Sequence, residues 1–194
     1  MTTFDIPLLD IYEFFGTLLN ANVTDPKAST RKGKWIFPDF TTATSNLPQI
    51  TITYNDISYE NHSAGNYFRE ELVSPTVYKQ YYYRMASTTV NIYVLTSKSG
   101  EWLLTIDGIA RKFTNKLFNI YLTNLTKDVL LKKRGDVLGI FDEFNIENVE
   151  FAFEANKYTW SSQIKCPLVF KDIWCDEYTD GELIASYSMT TTTT

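Results

Sequence analysis

Apolar positions near the start of the chain recur at helical spacing. Leu8, Ile11, Tyr12, Phe15, Leu18 and Leu19 form one stripe, Asp5 stands where a cap is wanted, and Pro7 falls in the first turn, where its missing N–H costs nothing. These features predict a helix over residues 6–20. The period then stops. Residues 21–49 are polar and broken by Pro26, Gly33, Pro38 and Pro48, with a basic cluster (Lys27, Arg31, Lys32, Lys34) ahead of an aromatic group (Trp35, Phe37, Phe40). This reads as a long loop holding at most a short strand at 35–37, and long loops inside compact domains often carry function or are ordered by a partner.

From Gln49 the period becomes two, with Ile50, Ile52 and Tyr54 alternating with Thr51 and Thr53 in a half-buried strand. A second polar loop is predicted over 60–75, containing His62, Gly65, Arg69, Glu70 and Glu71. The following stretch, TVYKQYYYRMASTTVNIYVLTS, has no Gly or Pro and is rich in β-branched and aromatic residues. It is either one strand of about 65 Å at the usual rise per residue, or two strands meeting at the small pair Ala86 and Ser87. In both cases part of it is expected to project beyond a compact core. After Gly100 the spacing of Trp102, Ile106, Ile109, Ala110, Phe113, Leu117 and Ile120 predicts a helix capped by Ser99. A second helical piece over 126–134 should end at Lys132, Lys133 and Arg134 before Gly135. Strands are predicted at 137–141, 149–153 and 158–170, with a further one at 183–187 and a polar tail at 188–194. The expected fold is α+β, a mostly antiparallel sheet with an N-terminal helix and one or two helices on one face, in a single domain over 1–194.

Composition narrows the chemistry. The 194 residues include one histidine, His62, and two cysteines, Cys166 and Cys175, while aromatics reach 15%. Such a supply builds no His-rich metal site and no disulfide framework, and it leaves histidine-based acid–base catalysis to one residue. No cofactor is implied, and a non-enzymatic binding or structural role is expected. A net charge of −5 argues against gripping nucleic acid through phosphates. No apolar run reaches the roughly 20 residues that span a bilayer, and the first residues lack a signal-peptide pattern, so the chain is expected in a cytosol without membrane association.

The individual motifs are weak. His62 has Glu60, Glu70 and Glu71 nearby in sequence, but no nucleophile motif accompanies it. Asp176, Asp180 and Gly181 resemble the opening of a calcium loop, but Tyr178 and Tyr187 occupy positions that need oxygen ligands, so a turn is expected there. Arg134, Gly135 and Asp136 read as a helix end. The sequons at Asn22, Asn61 and Asn124 are as frequent as chance gives. The better lead is the run Tyr78, Tyr81, Tyr82, Tyr83 with Arg84. Its side chains have apolar bodies and polar tips, which suits either packing or a subunit interface.

The order of elements resembles that of the tail terminator, or neck terminator, proteins of tailed viruses. The resemblance rests on QITITYNDISY, on YKQYYYRMASTTVNIYVLTSKSG feeding WLLTIDGIARKFTNKL, and on YTWSSQIKCPLVFKDIW, whose Leu168, Val169 and Phe170 precede Asp172. It covers residues 48–175, with the 21–47 loop and the C-terminal extension as departures. The resemblance implies a structural virion protein assembled in the host cytoplasm. It would form a homo-oligomeric ring of six subunits that ends the tail tube, contacts the tube protein and docks to the head–tail connector or stopper. Viral DNA would pass through without specific binding. An acidic chain suits such a channel, and Glu60, Glu70 and Glu71 are the candidates to line it. Three other readings stay open: a different neck or baseplate component, a hydrolase using His62, and a glycan-binding β domain using Trp35, Trp160 and Trp174.

Overall fold

A computed structural model describes residues 8–38, 47–59, 66–106, 108–156 and 158–179. The fold is α+β. Helix α1 (Leu8–Asn22) is followed by strands β1 (Ile36–Phe37), β2 (Gln49–Tyr54), β3 (Ser58–Tyr59), β4 (Asn66–Ser74), β5 (Val77–Ser97), β6 (Glu101–Ile106) and β7 (Ile109–Thr114). Helices α2 (Asn115–Lys132) and α3 (Arg134–Leu138) then lead to β8 (Glu143–Phe144), β9 (Asn148–Asn156) and β10 (Thr159–Thr179). Eight strands make one sheet in the order β1-β2-β5-β10-β8, with β3 and β4 on β5 and β9 on β10; β6 and β7 make a separate two-stranded sheet. Strands β2 and β4 run antiparallel to β5, β8 and β9 run antiparallel to β10, and β1 runs parallel to β2.

Contacts divide the chain into two compact units. One takes the described parts of Ser58–Ala86 and Lys171–Thr194; the other takes those of Pro7–Ile57 and all described residues of Ser87–Phe170. The Tyr-rich stretch is a single strand, and the boundary between units falls at the Ala86–Ser87 pair.

The core of the second unit follows from period-two burial. Ile50 and Ile52 of β2, Val90, Ile92 and Val94 of β5, and Ile164, Cys166, Leu168 and Phe170 of β10 are all fully buried. Helix α1 adds Ile11, Phe15 and Leu19, the inner part of its predicted stripe. An aromatic cluster fills one end, with Phe15 stacked on Phe141 at 6.1 Å and Phe141 edge-on to Phe170 at 6.2 Å.

Several expectations are overturned. The helix predicted from Trp102 is the β6–β7 hairpin, in which Ile106 pairs with Ile109 across the two residues between them. Asp107 and Gly108 form an Asp-Gly turn signal, and Gly108 has a φ of +77°, which glycine adopts at no steric cost. The turn shifts the phase of two period-two runs, and their sum mimics a helical stripe. The real helix, α2, begins at the next residue after β7, capped by Thr114, whose hydroxyl accepts from the Leu117 N–H. It runs through the predicted start at 126, because its buried face carries Asn119, Thr123 and Thr126 among Phe118, Leu122 and Leu130 and so shows no clean apolar stripe. The two threonines donate to the carbonyls of Asn119 and Leu122 at 2.7 and 2.8 Å, which satisfies them inside the helix. The predicted strand at 137–141 is α3 and its exit turn, in which Val137 and Phe141, four apart, are the buried residues. The predicted loop at 60–75 contains β4, and the expected turn at Asp176 and Tyr178 is the end of β10. Residues 183–187 and the tail lie outside the described residues.

In the described part of the 21–47 loop, contacts within the chain fix the backbone. Buried Arg31 grips Asp25 through Nε at 2.6 Å and Nη2 at 3.1 Å, and donates to the Pro48 carbonyl at 2.6 Å. Trp35 is buried and its indole N–H donates to Asn20 at 3.2 Å.

Asn119 fastens α2 to the sheet. Its amide donates to the Val94 carbonyl of β5 at 2.8 Å and the Trp160 carbonyl of β10 at 3.5 Å, while its oxygen accepts from the Ser162 hydroxyl. Ser162 in turn accepts from the Ala152 N–H at 2.8 Å, holding a β9 bulge in which Ala152 has a φ of +47°. Replacing Asn119 with leucine keeps the volume and strands these partners in a dry site. The expected cost is about 2 to 4 kcal/mol in a denaturant melt, against under about 0.5 kcal/mol for an exposed control on the same helix such as Asp128→Ala.

Candidate functional site

The surface singled out by the tyrosines is a β-hairpin. Pro75 and Thr76 make the turn between β4 and β5, and the Ser74–Val77 pair closes it. Leu72 pairs with Tyr78, Glu71 with Lys79, Glu70 with Gln80, and, after a bulge, Tyr67 with Tyr82 and Asn66 with Tyr83. Paired residues share a face, so the tyrosines and the two glutamates, expected on separate surfaces, lie on the same two-stranded element.

Hydrogen bonds tie its rows together. Buried Tyr81 donates its hydroxyl to Glu71 at 3.1 Å, Gln80 donates to Glu70 at 3.4 Å, and Tyr82 donates to the Gln80 side-chain oxygen at 2.8 Å. Tyr78, Tyr82 and Tyr83 are half-buried, with the Lys171 ammonium 5.6 Å from the Tyr83 ring. Arg84 lies flat on Tyr59, its guanidinium carbon 3.5 Å from the ring centre, and donates from both Nε and Nη2 to Asp172 at 2.8 Å. Asp172 comes from β10, 88 residues away, and nothing local in the sequence pairs it with Arg84.

The far end of the hairpin is apolar. Leu72 is 58% exposed and Val73 52%, beside the turn. Sequence reasoning treated both as loop residues; the signal that reveals them is Pro75-Thr76 standing between two strand-like runs. Glu70 and Glu71 are exposed strand residues, not loop residues. Glu60 and His62 lie outside the described residues, as does Asn61.

The remaining candidates are dispersed. Trp35 is core, and the Trp174 side chain lies outside the described residues. Trp160 is half-buried beneath two ammonium groups, Lys98 at 4.9 Å and Lys116 at 5.1 Å. Asn22 ends α1, donating to the Leu18 carbonyl, and Asn124 lies in α2. Arg134, Gly135 and Asp136 form the first turn of α3, with Asp136 3.1 Å from the Lys133 ammonium. On the outer row of the large sheet Tyr93 accepts from Gln163 at 3.0 Å; burial and the nearby Glu150 carboxylate raise its phenol above the ordinary range, against the lowering effect of that hydrogen bond. Burial also pushes the Cys166 thiol up to about 12. Among the described residues no helix is long and apolar enough to cross a membrane, and no group of three His, Cys, Asp or Glu could hold a metal ion.

No protein-family model matches the chain, and no curated protein matches it in sequence.

Two outcomes follow from this geometry. Replacing Arg84 with methionine removes the Asp172 pair and the contact with Tyr59, both partly exposed. The expected loss is about 1 kcal/mol of local stability, read as faster amide exchange in peptides from 77–86 and 171–179 with β2 unaffected. In a Cys175→Ala background, Cys166 should resist a thiol reagent at about pH 8 and react only at the rate of unfolding, because the thiolate is the reactive form. Labelling of the folded protein at the rate of a free thiol would contradict that burial.

Proposed function

We propose that the protein is a structural assembly part, a subunit of the six-membered ring that ends the tail tube of a tailed virus and joins it to the head connector. The single observation that carries this reading is the β4–β5 hairpin. Side chains of its middle rows, Glu71, Gln80, Tyr81 and Tyr82, are bonded to one another, while its tip presents Leu72 and Val73 to solvent. An element braced by its own side-chain hydrogen bonds and left apolar at its end suits insertion into a partner. The resemblance in element order over 48–175 supports the terminator assignment in particular.

Composition supports the same reading. One histidine and two cysteines, of which Cys166 is buried, offer little to catalysis, whereas an aromatic content of 15% suits interfaces. The acidic balance suits a passage through which DNA must move without adhering, with Glu70 and Glu71 as exposed carboxylates of the hairpin. In this reading the protein is not an enzyme and needs no cofactor. Its partners are further copies of itself, the tube protein, the connector or stopper, and DNA in transit, in the virion neck after assembly in the host cytoplasm.

The test is a tube-growth assay. Added to polymerising tube protein, the wild-type chain should stop growth and appear as a ring at the tube end in electron micrographs. The Leu72→Asp, Val73→Asp double variant should fold normally and lose capping by tenfold or more, since burying two carboxylates costs about 2 kcal/mol or more. Unrestricted tube growth with wild-type protein would sink the proposal. Glu70→Lys with Glu71→Lys should slow DNA release from assembled particles; unchanged release would remove these two residues from the channel.

A further inference from the structure

Two exposed patches of the second unit are complementary in both charge and apolarity. The first is the β6–β7 hairpin. Its root is anchored on α2, with Trp102 stacked on Phe118 at 4.4 Å and Phe113 against Tyr121 at 5.4 Å. Its free end is not covered: Ile109 is 58% exposed, Arg111 is exposed with no ion pair among the described residues, and both share a face with half-buried Leu104 and Ile106, their partners across the hairpin. Strand β7 contains Arg111 and Lys112 and no acid, although Lys112 already meets Glu101 at 2.5 Å.

The second patch is β9. It pairs with β10 on one side and has no other strand partner among the described residues. Phe151 and Phe153 are 42% and 37% exposed, and buried Ala152 between them holds the bulge described above. The strand contains Glu150 and Glu154 and no base. Glu154 meets Lys98 at 2.9 Å, whereas exposed Glu150 has no ion pair among the described residues. The bulge interrupts the regular edge, so β9 is suited to contact through its side chains and not to adding a strand.

We propose that these patches bind each other between copies of this chain, with Ile106 and Ile109 of one copy against Phe151 and Phe153 of the next, and Arg111 of the first facing Glu150 of the second. The occupant is a second copy because each patch supplies what the other lacks: an unpaired guanidinium beside aliphatic side chains, and an unpaired carboxylate beside two phenyl rings. The contact joins different surfaces, so a bound pair leaves one patch of each kind free. Such a head-to-tail contact propagates and closes into a ring when the rotation fits. This inference rests on the ring reading above and names the contact that would build it.

The two unpaired charges allow a test that controls for folding. Arg111→Glu alone sets carboxylate against carboxylate, and Glu150→Arg alone sets guanidinium against guanidinium; each should weaken self-association of the full chain about tenfold or more, read as mass against concentration by light scattering. Mixing the two variants in equal amounts should restore assembly. Alternating copies then meet through one reversed pair and one native pair, both attractive, and a ring with an even number of members accommodates the alternation. Restoration in the mixture excludes misfolding as the cause of the single losses. Wild-type protein that stays monomeric to its solubility limit, single variants that assemble as wild type does, or a mixture that fails to recover would each overturn this contact. The proposed function fails separately: if wild-type protein does not stop tube growth, that reading falls whatever the charge variants do, and if either single variant caps tubes normally, only this contact falls.

Discussion

The side chain of Asn119 is the constraint on which the second unit depends. One amide reaches the backbone of two neighbouring strands, and its oxygen receives the serine that holds the β9 bulge. A helix packed only through apolar contacts can slide by a fraction of a turn at modest cost. One whose buried amide must meet three fixed partners cannot, because every unmet group in a dry interior is penalised. The hydrophobic core supplies the driving force for packing α2 on the sheet, and the asparagine selects the register. The Arg31–Asp25 pair does similar work for the preceding loop, fixing it through two guanidinium contacts and a backbone carbonyl.

Elements governed by one periodicity were legible in the sequence. Helix α1, with Ile11, Phe15 and Leu19 inward, and strands β2, β5 and β10, with alternating Ile, Val and Leu, bury the residues their pattern indicates. Elements that mix signals were not. Helix α2 hides its inner face behind Asn119, Thr123 and Thr126, which are acceptable inside only because of partners that sequence does not show. The β6–β7 hairpin reads as a helix until Asp107-Gly108 is given its weight as a turn. In the candidate surface, the tyrosines and Arg84 stood out by composition, whereas Asp172 and Tyr59, which position Arg84, come from distant parts of the chain and emerge only with the fold.

The electrostatics also change meaning once placed. In the basic cluster at 27–34 the arginine is consumed by Asp25 inside the loop, and Lys27 lies 5.6 Å from the Trp102 ring. Several charged groups around the hairpins are similarly engaged, with Lys112 on Glu101, Lys98 on Glu154 and Arg84 on Asp172.

Strand β7 and helix α2 share a junction with no loop: Thr114 is the last residue of the strand and the cap of the helix. A loop would dissipate a displacement of the hairpin; a shared residue passes it on as a torque. Asn119 sits little more than one turn beyond that junction, so the hairpin and the helix act as a lever with its fulcrum inside the sheet. A load on the hairpin is therefore borne by the hydrogen-bonded interior and not by a flexible connection, which makes this unit mechanically stiff along the path from its surface to its core.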